Sequence, residues 1–351
     1  MKKVLVVNDS ALMRRIECDI INSDPDFQVI DVSLNIDDAY DKIKQNKYDI
    51  VVLEMVLRGA DGLDLLRRLK DEQIHITVIA VSTPIREDAG ETLRALEMGA
   101  YDFVARPARP ISVSDDFGKH LLRVMHNSFS EKPRTAVKRE RPAEQSGENA
   151  VTRPERKNEK PEIVALACST GGPQALYTMI PMLPKEIDVP IVIVQHMPTG
   201  FTEALSNRLN ELSRINVKEA EDGDILQPGW IYIAPGGKHM EIIENQNKQA
   251  CVSVNKKPPV NSLRPCADVM YESLIHTHYK NILCVVLTGM GADGTKGIIE
   301  LGRQKNVYVI TESQESCVVY GMPKSLEQKG LSDETFPIEK ISEAIVKKLG
   351  G

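Results

Sequence analysis

Three short polar turns in the second half of the chain carry the side chains needed for acyl transfer. They are Cys168-Ser169-Thr170-Gly171-Gly172-Pro173, Gln195-His196-Met197-Pro198-Thr199-Gly200 and Thr288-Gly289-Met290-Gly291-Ala292-Asp293-Gly294. A serine hydroxyl is a weak nucleophile until a base takes its proton. Histidine can serve as that base, and a carboxylate behind it fixes its tautomer and stabilises the imidazolium. Each turn offers one member of such a set: Ser169, His196 and Asp293. Gly171 and Gly172 let the backbone bend sharply and a substrate approach closely. Pro173 suits a first helical position. The N–H groups of that first turn are candidates to hold a developing oxyanion. The chain order Ser, His, Asp differs from that of lipases and of both serine-protease types, and no G-x-S-x-G elbow is present.

Each residue alone has a plainer reading. Ser169 could cap a helix or join an anion cradle, His196 could be a satisfied structural histidine, and Asp293 before glycine could be a plain turn residue. It is the convergence of the three that points to chemistry. One rival is a nucleotide-binding α/β protein, but the sequence has no full G-x-G-x-x-G with an acidic ribose partner and no Walker lysine. A cysteine hydrolase built on Cys168 is another. Side chains alternate across a strand, so Cys168 should point to the face opposite Ser169. A non-catalytic scaffold is the third.

The turns need strands to carry them, because sites in open α/β sheets form at the carboxyl ends of strands. Apolar runs at Glu162–Ala167, Pro190–Gln195 and Asn281–Thr288 precede the three turns. Helices are expected at Pro173–Met182, Thr202–Leu212 and Thr295–Gln304. Further strands are expected at Trp230–Ala234 and Asn306–Thr311, with a hairpin of Met240–Glu244 and Ala250–Val254. The first 127 residues show the same alternation. Runs at Lys3–Asn8, Gln28–Leu34, Asp49–Met55, Ile76–Ser82 and Tyr101–Arg106 are separated by amphipathic stretches such as Asp64–Asp71 and Glu91–Met98, and Phe117–Asn127 closes the series. The fold class expected is α/β, with two doubly wound α/β/α domains, one flavodoxin-like and one Rossmann-like.

Between the domains the composition changes. Residues 131–160 hold nine basic and six acidic side chains, no aromatic residue, and prolines at Pro133, Pro142 and Pro154. Such a segment buries too little surface to offset its ordering entropy, so 128–160 reads as a flexible charged linker. Its root-mean-square reach would be about 30 Å. The boundaries expected are therefore 1–127, 128–160 and 161–350. Two domains also suit a chain of 351 residues with 42% hydrophobic content. The net charge of -6 argues against nucleic acid as a partner. No apolar run approaches a membrane span, and no signal-peptide layout is seen. The six cysteines form no CxxC pair and read as reduced core residues of a cytoplasmic protein.

Longer motifs carry a resemblance. The segments 167–176 (Ala-Cys-Ser-Thr-Gly-Gly-Pro-Gln-Ala-Leu), 194–202 (Val-Gln-His-Met-Pro-Thr-Gly-Phe-Thr) and 287–294 (Leu-Thr-Gly-Met-Gly-Ala-Asp-Gly) closely resemble the chemotaxis protein-glutamate methylesterase (CheB) family. So do 232–240, 258–265 (Pro-Pro-Val-Asn-Ser-Leu-Arg-Pro) and 316–323. The resemblance covers almost all of 161–345. It implies hydrolysis of glutamyl methyl esters on the cytoplasmic helices of methyl-accepting chemoreceptors, and deamidation of receptor glutamines, with no metal or organic cofactor. Ser169, His196 and Asp293 match the family triad. Thr170 and the backbone at Met290 match positions linked to the oxyanion site, with Gly171 supporting. Arg264 matches an arginine of a family loop and is a candidate for substrate binding. A chemotaxis histidine kinase is a candidate partner, and membranes would be met only through the receptors.

Residues 1–127 resemble a two-component receiver, with departures at its site. A working receiver needs an acidic pair after the first strand, an aspartate after the third, Ser or Thr after the fourth and Lys after the fifth. Here those positions hold Asn8-Asp9, Glu54, Ser82 and Arg106. Asn8 removes a charge, Glu54 moves its carboxylate by a methylene, and Mg²⁺ tolerates little deviation from octahedral oxygen geometry. An arginine fork is no substitute for a compact ammonium. The expectation is that Glu54 is not phosphorylated in the usual way and pairs with Arg106. Such a pair either satisfies two buried charges or mimics an activated state.

Overall fold

A computed structural model of the chain describes residues 1–83, 86–106, 115–129 and 159–351. All but four residues of the segment read as a linker lie outside these. The chain divides into two compact units, Met1–Ser130 and Glu131–Gly351.

The first unit runs β1 (Lys2–Val7), α1 (Ala11–Asn22), β2 (Phe27–Ser33), α2 (Ile36–Gln45), β3 (Ile50–Glu54), a small ribbon of β4 (Val56–Leu57) and β5 (Ala60–Asp61), α3 (Gly62–Asp71), β6 (Thr77–Ser82), α4 (Arg86–Glu97), β7 (Asp102–Ala105) and α5 (Asp115–Asn127). Five parallel strands lie in the order β2-β1-β3-β6-β7. This is the flavodoxin-type doubly wound order. Helices cover both faces, so the central strand β3 buries all five of its side chains. Ser10, Asn35 and Asp61 start helices α1, α2 and α3 by accepting from the amides of Met13, Asp38 and Leu63. Each cap follows a strand or the ribbon closely, which keeps the loops at the carboxyl edge short.

The second unit runs β8 (Ile163–Cys168), α6 (Gly172–Met179), β9 (Ile191–Gln195), α7 (Phe201–Leu212), β10 (Asn216–Glu219), β11 (Trp230–Ile233), β12 (His239–Glu244), β13 (Ala250–Asn255), α8 (Ala267–Ser273), β14 (Asn281–Val286), α9 (Thr295–Gly302), β15 (Asn306–Glu312), α10 (Met322–Gln328), β16 (Glu334–Phe336) and α11 (Ile338–Lys348). Seven parallel strands lie in the order β10-β11-β9-β8-β14-β15-β16, and β12 with β13 forms a separate antiparallel ribbon. Ile163, Ala165, Val192, Val194, Cys284 and Val286 build the core with Met270, Tyr271 and Leu301. From β8 the chain extends the sheet first on one side, to β9, and later on the other, to β14. The crevice between such strands is where α/β sheets bind ligands. Ser169 and His196 follow β8 and β9, and Asp293 lies in the loop after β14.

Several elements carry little signal in the sequence. β10 and β16 are short edge strands with mixed polar composition, and α8 is only two turns long. The helix expected to reach Met182 ends as α-helix at Met179, and Ile180–Met182 continues it as a 3₁₀ turn. Among the described residues no helix is long and apolar enough to cross a membrane.

Candidate active site

Ser169 is the first residue beyond β8. Its N–H donates to the Thr288 carbonyl at 3.0 Å, and its own carbonyl accepts from Gly172 N at 2.7 Å. The next turn needs glycine. Gly171 has a φ of 76°, and a Cβ there would lie 2.4 Å from Val318 Cβ. Among the described residues no acceptor takes the N–H of Thr170 or Gly171. Both amides are therefore available at the start of α6 for a developing negative charge.

His196 follows β9. The strands pair Cys168 with Gln195, and His196 N donates to the Cys168 carbonyl at 3.2 Å. The register thus carries Ser169 and His196 side by side off adjacent strand ends. The imidazole Nε2 lies 2.7 Å from Asp293 Oδ2, so Nδ1 is the ring nitrogen that this carboxylate does not hold. The hydroxyl methylene of Ser169 also packs close to Gly289, where an added Cβ would stand 2.9 Å from Ser169 Cβ. That contact puts the loop of Met290 against Ser169. Met290 itself is exposed.

Asp293 is buried, and N–H groups surround it. Oδ2 also accepts from Ala267 N at 2.6 Å, and Oδ1 from Asp268 N and Gly294 N, each at 3.0 Å. The Cys266 thiol lies 3.1 Å from Oδ1. Burial would raise the carboxyl pKa, but the His196 contact and these amides outweigh it and hold it at about 2. The carboxylate is fixed as an anion behind the imidazole. Cys266, Asp268 and Asp293 converge closely enough to suggest a metal cluster. Main-chain N–H groups reach both oxygens of Asp293, and Asp268 Oδ1 accepts from Gly297 N at 2.7 Å.

A second carboxylate, not evident from sequence, braces the loop. Glu312 at the end of β15 is 1% exposed and accepts from Thr288 N at 2.8 Å and from Ser316 Oγ at 2.9 Å. Thr288 Oγ1 in turn donates to the Thr170 carbonyl at 2.9 Å and accepts from Val319 N at 3.0 Å. The loop bearing Asp293 is thus tied to the turn bearing Ser169. Cys168 is fully buried, and burial pushes its thiol well above the ordinary range. A thiolate nucleophile is unavailable there. Arg264 does not reach the triad residues by any hydrogen bond. Its Nη1 donates to the carbonyls of Lys257 at 3.2 Å and Lys256 at 3.4 Å, closing its own turn.

In the first unit Asn8, Asp9, Glu54, Ser82 and Arg106 gather at the carboxyl ends of β1, β3, β6 and β7. Glu54 Oε2 forms an ion pair with Arg106 Nε at 3.2 Å. The Asn8 amide lies 3.5 Å from Glu54 Oε2 and 3.1 Å from Glu17 Oε1. Asp9 is engaged elsewhere, accepting from Arg58 N at 3.1 Å. Ser82 Oγ turns to the Thr83 carbonyl at 3.3 Å. Glu17 on α1 is buried beside Glu54. Burial first, then the Glu54 charge, pushes its carboxyl up to about 8. Nothing in the receiver pattern marks Glu17, and a polar residue on an amphipathic helix gives no other signal of burial.

The chain matches two families: CheB methylesterase over residues 164–345 and the response regulator receiver domain over residues 4–115. It is 40% identical over 357 residues to the protein-glutamate methylesterase/protein-glutamine glutaminase of Bacillus subtilis, covering 98% of each chain. It is 40% identical to the protein of that name from Halalkalibacterium halodurans, covering 99% of this chain and 98% of the other. The crystal structure of the CheB methylesterase catalytic domain of Thermotoga maritima shares 42% identity and a TM-score of 0.51, over 54% of this chain and 99% of that one. With the match spanning both units and the order of strands, turns and site residues described above, this chain belongs to the CheB methylesterase family of response regulators.

Proposed function

We propose that this chain hydrolyses γ-glutamyl methyl esters of methyl-accepting chemoreceptors in the cytoplasm, and glutamine γ-amides at the same sites, with Ser169 as nucleophile. Ser169 Oγ attacks the side-chain carbonyl while His196 Nδ1 takes its proton. Asp293 holds the opposite nitrogen and stabilises the imidazolium. The oxyanion is met by the Thr170 N–H and by the backbone at Met290, with Gly171 shaping the turn. The imidazolium gives its proton to the departing methoxy oxygen, releasing methanol, or to the departing amide nitrogen, releasing ammonia. Water activated by His196 then frees the glutamyl chain as a carboxylate. The observation that supports this reading is an imidazole held at 2.7 Å by a buried carboxylate, on the residue that follows Gln195, the strand partner of the Cys168 that precedes Ser169. The test is methanol release from methylated receptor, with Ser169→Ala as reference. Release by Ser169→Ala at the wild-type rate would overturn it.

For the receiver we infer that Glu54 does not accept phosphate and that its pair with Arg106 is structural. Glu54 is 2% exposed, Arg106 lies against it, and Asp9, the acidic residue left for a cation, is bound to Arg58. A histidine kinase partner would then dock without transferring phosphate to this position.

A further inference from the structure

We propose that Gln195 is a positioning residue for the ester hydrolysis, its side-chain amide fixing the two backbones on which nucleophile and base ride. The proposal rests on the triad reading above. Gln195 is the last residue of β9, immediately before His196, and is 2% exposed. Its Nε2 donates to the Ser169 carbonyl at 3.0 Å and to the His196 carbonyl at 3.1 Å. A primary amide has two N–H hydrogens, and here each goes to the main chain of a catalytic residue. Its Oε1 accepts from the Cys168 thiol at 2.9 Å, so the whole group is satisfied beneath the site.

The turn after the nucleophile is shaped around this amide. A Cβ on Gly172 would lie 1.9 Å from Gln195 Oε1 and 2.9 Å from its Cδ. Glycine at 172 thus serves this contact as well as the turn. The Ser169 carbonyl also accepts from Gly172 N at 2.7 Å, so the serine peptide is clamped from two sides. The amide is neutral and buried. It adds no charge to the reaction and offers no surface to substrate. Its effect must come through geometry, where displacement of about 1 Å costs roughly 100-fold in rate. Loss of the amide should therefore lower kcat and leave KM in place.

The experiment uses the full chain and methanol release from methylated receptor. Active sites are counted by exhaustive labelling with a fluorophosphonate, and folding is followed by thermal melting. Gln195→Met keeps the shape and removes both donors. It should lower kcat per labelled site roughly 10- to 100-fold, hold KM within about twofold and slow fluorophosphonate labelling in step. Cys168→Ala removes the thiol while leaving both donors, and should stay within about threefold of wild type. A Gln195→Met kcat within threefold of wild type overturns the proposal. So does an effect on KM alone, or an equal loss in Cys168→Ala. If Gln195→Met does not fold, the same readouts are taken on Gln195→Glu. Failure of both to fold makes the amide a folding element and also overturns it. Activity persisting in Ser169→Ala would sink the triad reading itself, whereas a silent Ser169→Ala beside unimpaired Gln195 variants sinks only the positioning role.

Discussion

Asp293 illustrates how much of one residue's role lies in the donors around it. His196, Ala267, Asp268, Gly294 and Cys266 all reach its two oxygens. Its folded pKa of about 2 lies below the ordinary 3.8. The stability it contributes is present above pH ~4 and is lost as pH falls through about 2. The acid limb of esterase activity above pH 4 therefore does not belong to this carboxyl. Asp293→Asn presents an amide that can donate to His196 and favour the wrong tautomer. It should lower kcat roughly 10³- to 10⁴-fold, read as methanol release, and a loss below tenfold would contradict the assigned role. Glu17 has the opposite sign. Its carboxyl, raised from 4.5 to about 8, stays protonated in the fold across a range where the unfolded chain ionises it. Receiver stability should fall as pH rises from ~5 to ~8. Glu17→Gln should remove that slope and raise the receiver's melting temperature at pH 8 by about 4 °C or more. An unchanged slope in thermal melts would show that Glu17 is ionised in the fold.

At the scale of elements, the strands β8, β9 and β14 were legible because each is a continuous apolar run ending in a glycine-rich polar turn. Ser169, His196 and Asp293 stand in those turns, so their types and settings could be read together. What holds them was not legible. Glu312 meets Thr288 from the next strand, Gln195 meets Ser169 across a strand pair, and α8 brings its first amides to Asp293. Each contact depends on register and sheet order, which local patterning does not encode. Arg264, a candidate for substrate binding by its motif, holds its own turn through Nη1 donation to the carbonyls of Lys256 and Lys257, a contact that the motif did not signal. The turn between β8 and α6 permits a direct test. Gly171→Ala would force φ of 76° on an alanine and drive its Cβ toward Val318. The expected result is a loss of stability of about 1–3 kcal/mol by denaturant unfolding, with esterase activity falling further than stability. Wild-type activity in that variant would show that the turn need not keep this conformation.

For the whole molecule, the question is what each unit supplies. Ser169, His196, Asp293, Gln195 and Glu312, with every hydrogen-bond partner named for them, lie between Cys168 and Val319. All of these named partners lie within the second unit. The Thermotoga maritima catalytic domain, which this chain covers over 99% of its length, was solved as a domain in its own right. Residues 159–351 expressed alone should therefore release methanol with kcat no lower than that of the full chain. A tenfold deficit would mean that the receiver completes the site. The receiver's own chemistry is tested separately, by exposing the full chain to a small acyl phosphate with Mg²⁺ and weighing it intact. Glu54 would have to break its 3.2 Å pair with Arg106 to become a nucleophile, and Asp9 would have to leave Arg58 to bind the cation. Burial at 2% exposure adds to that cost, because a separated Glu54 carboxylate would remain out of water. The expected outcome is an unmodified mass and an esterase rate indifferent to the acyl phosphate. A stable phosphate adduct mapped to Glu54 would mean that the pair opens readily and that the receiver still takes its signal from a phosphodonor.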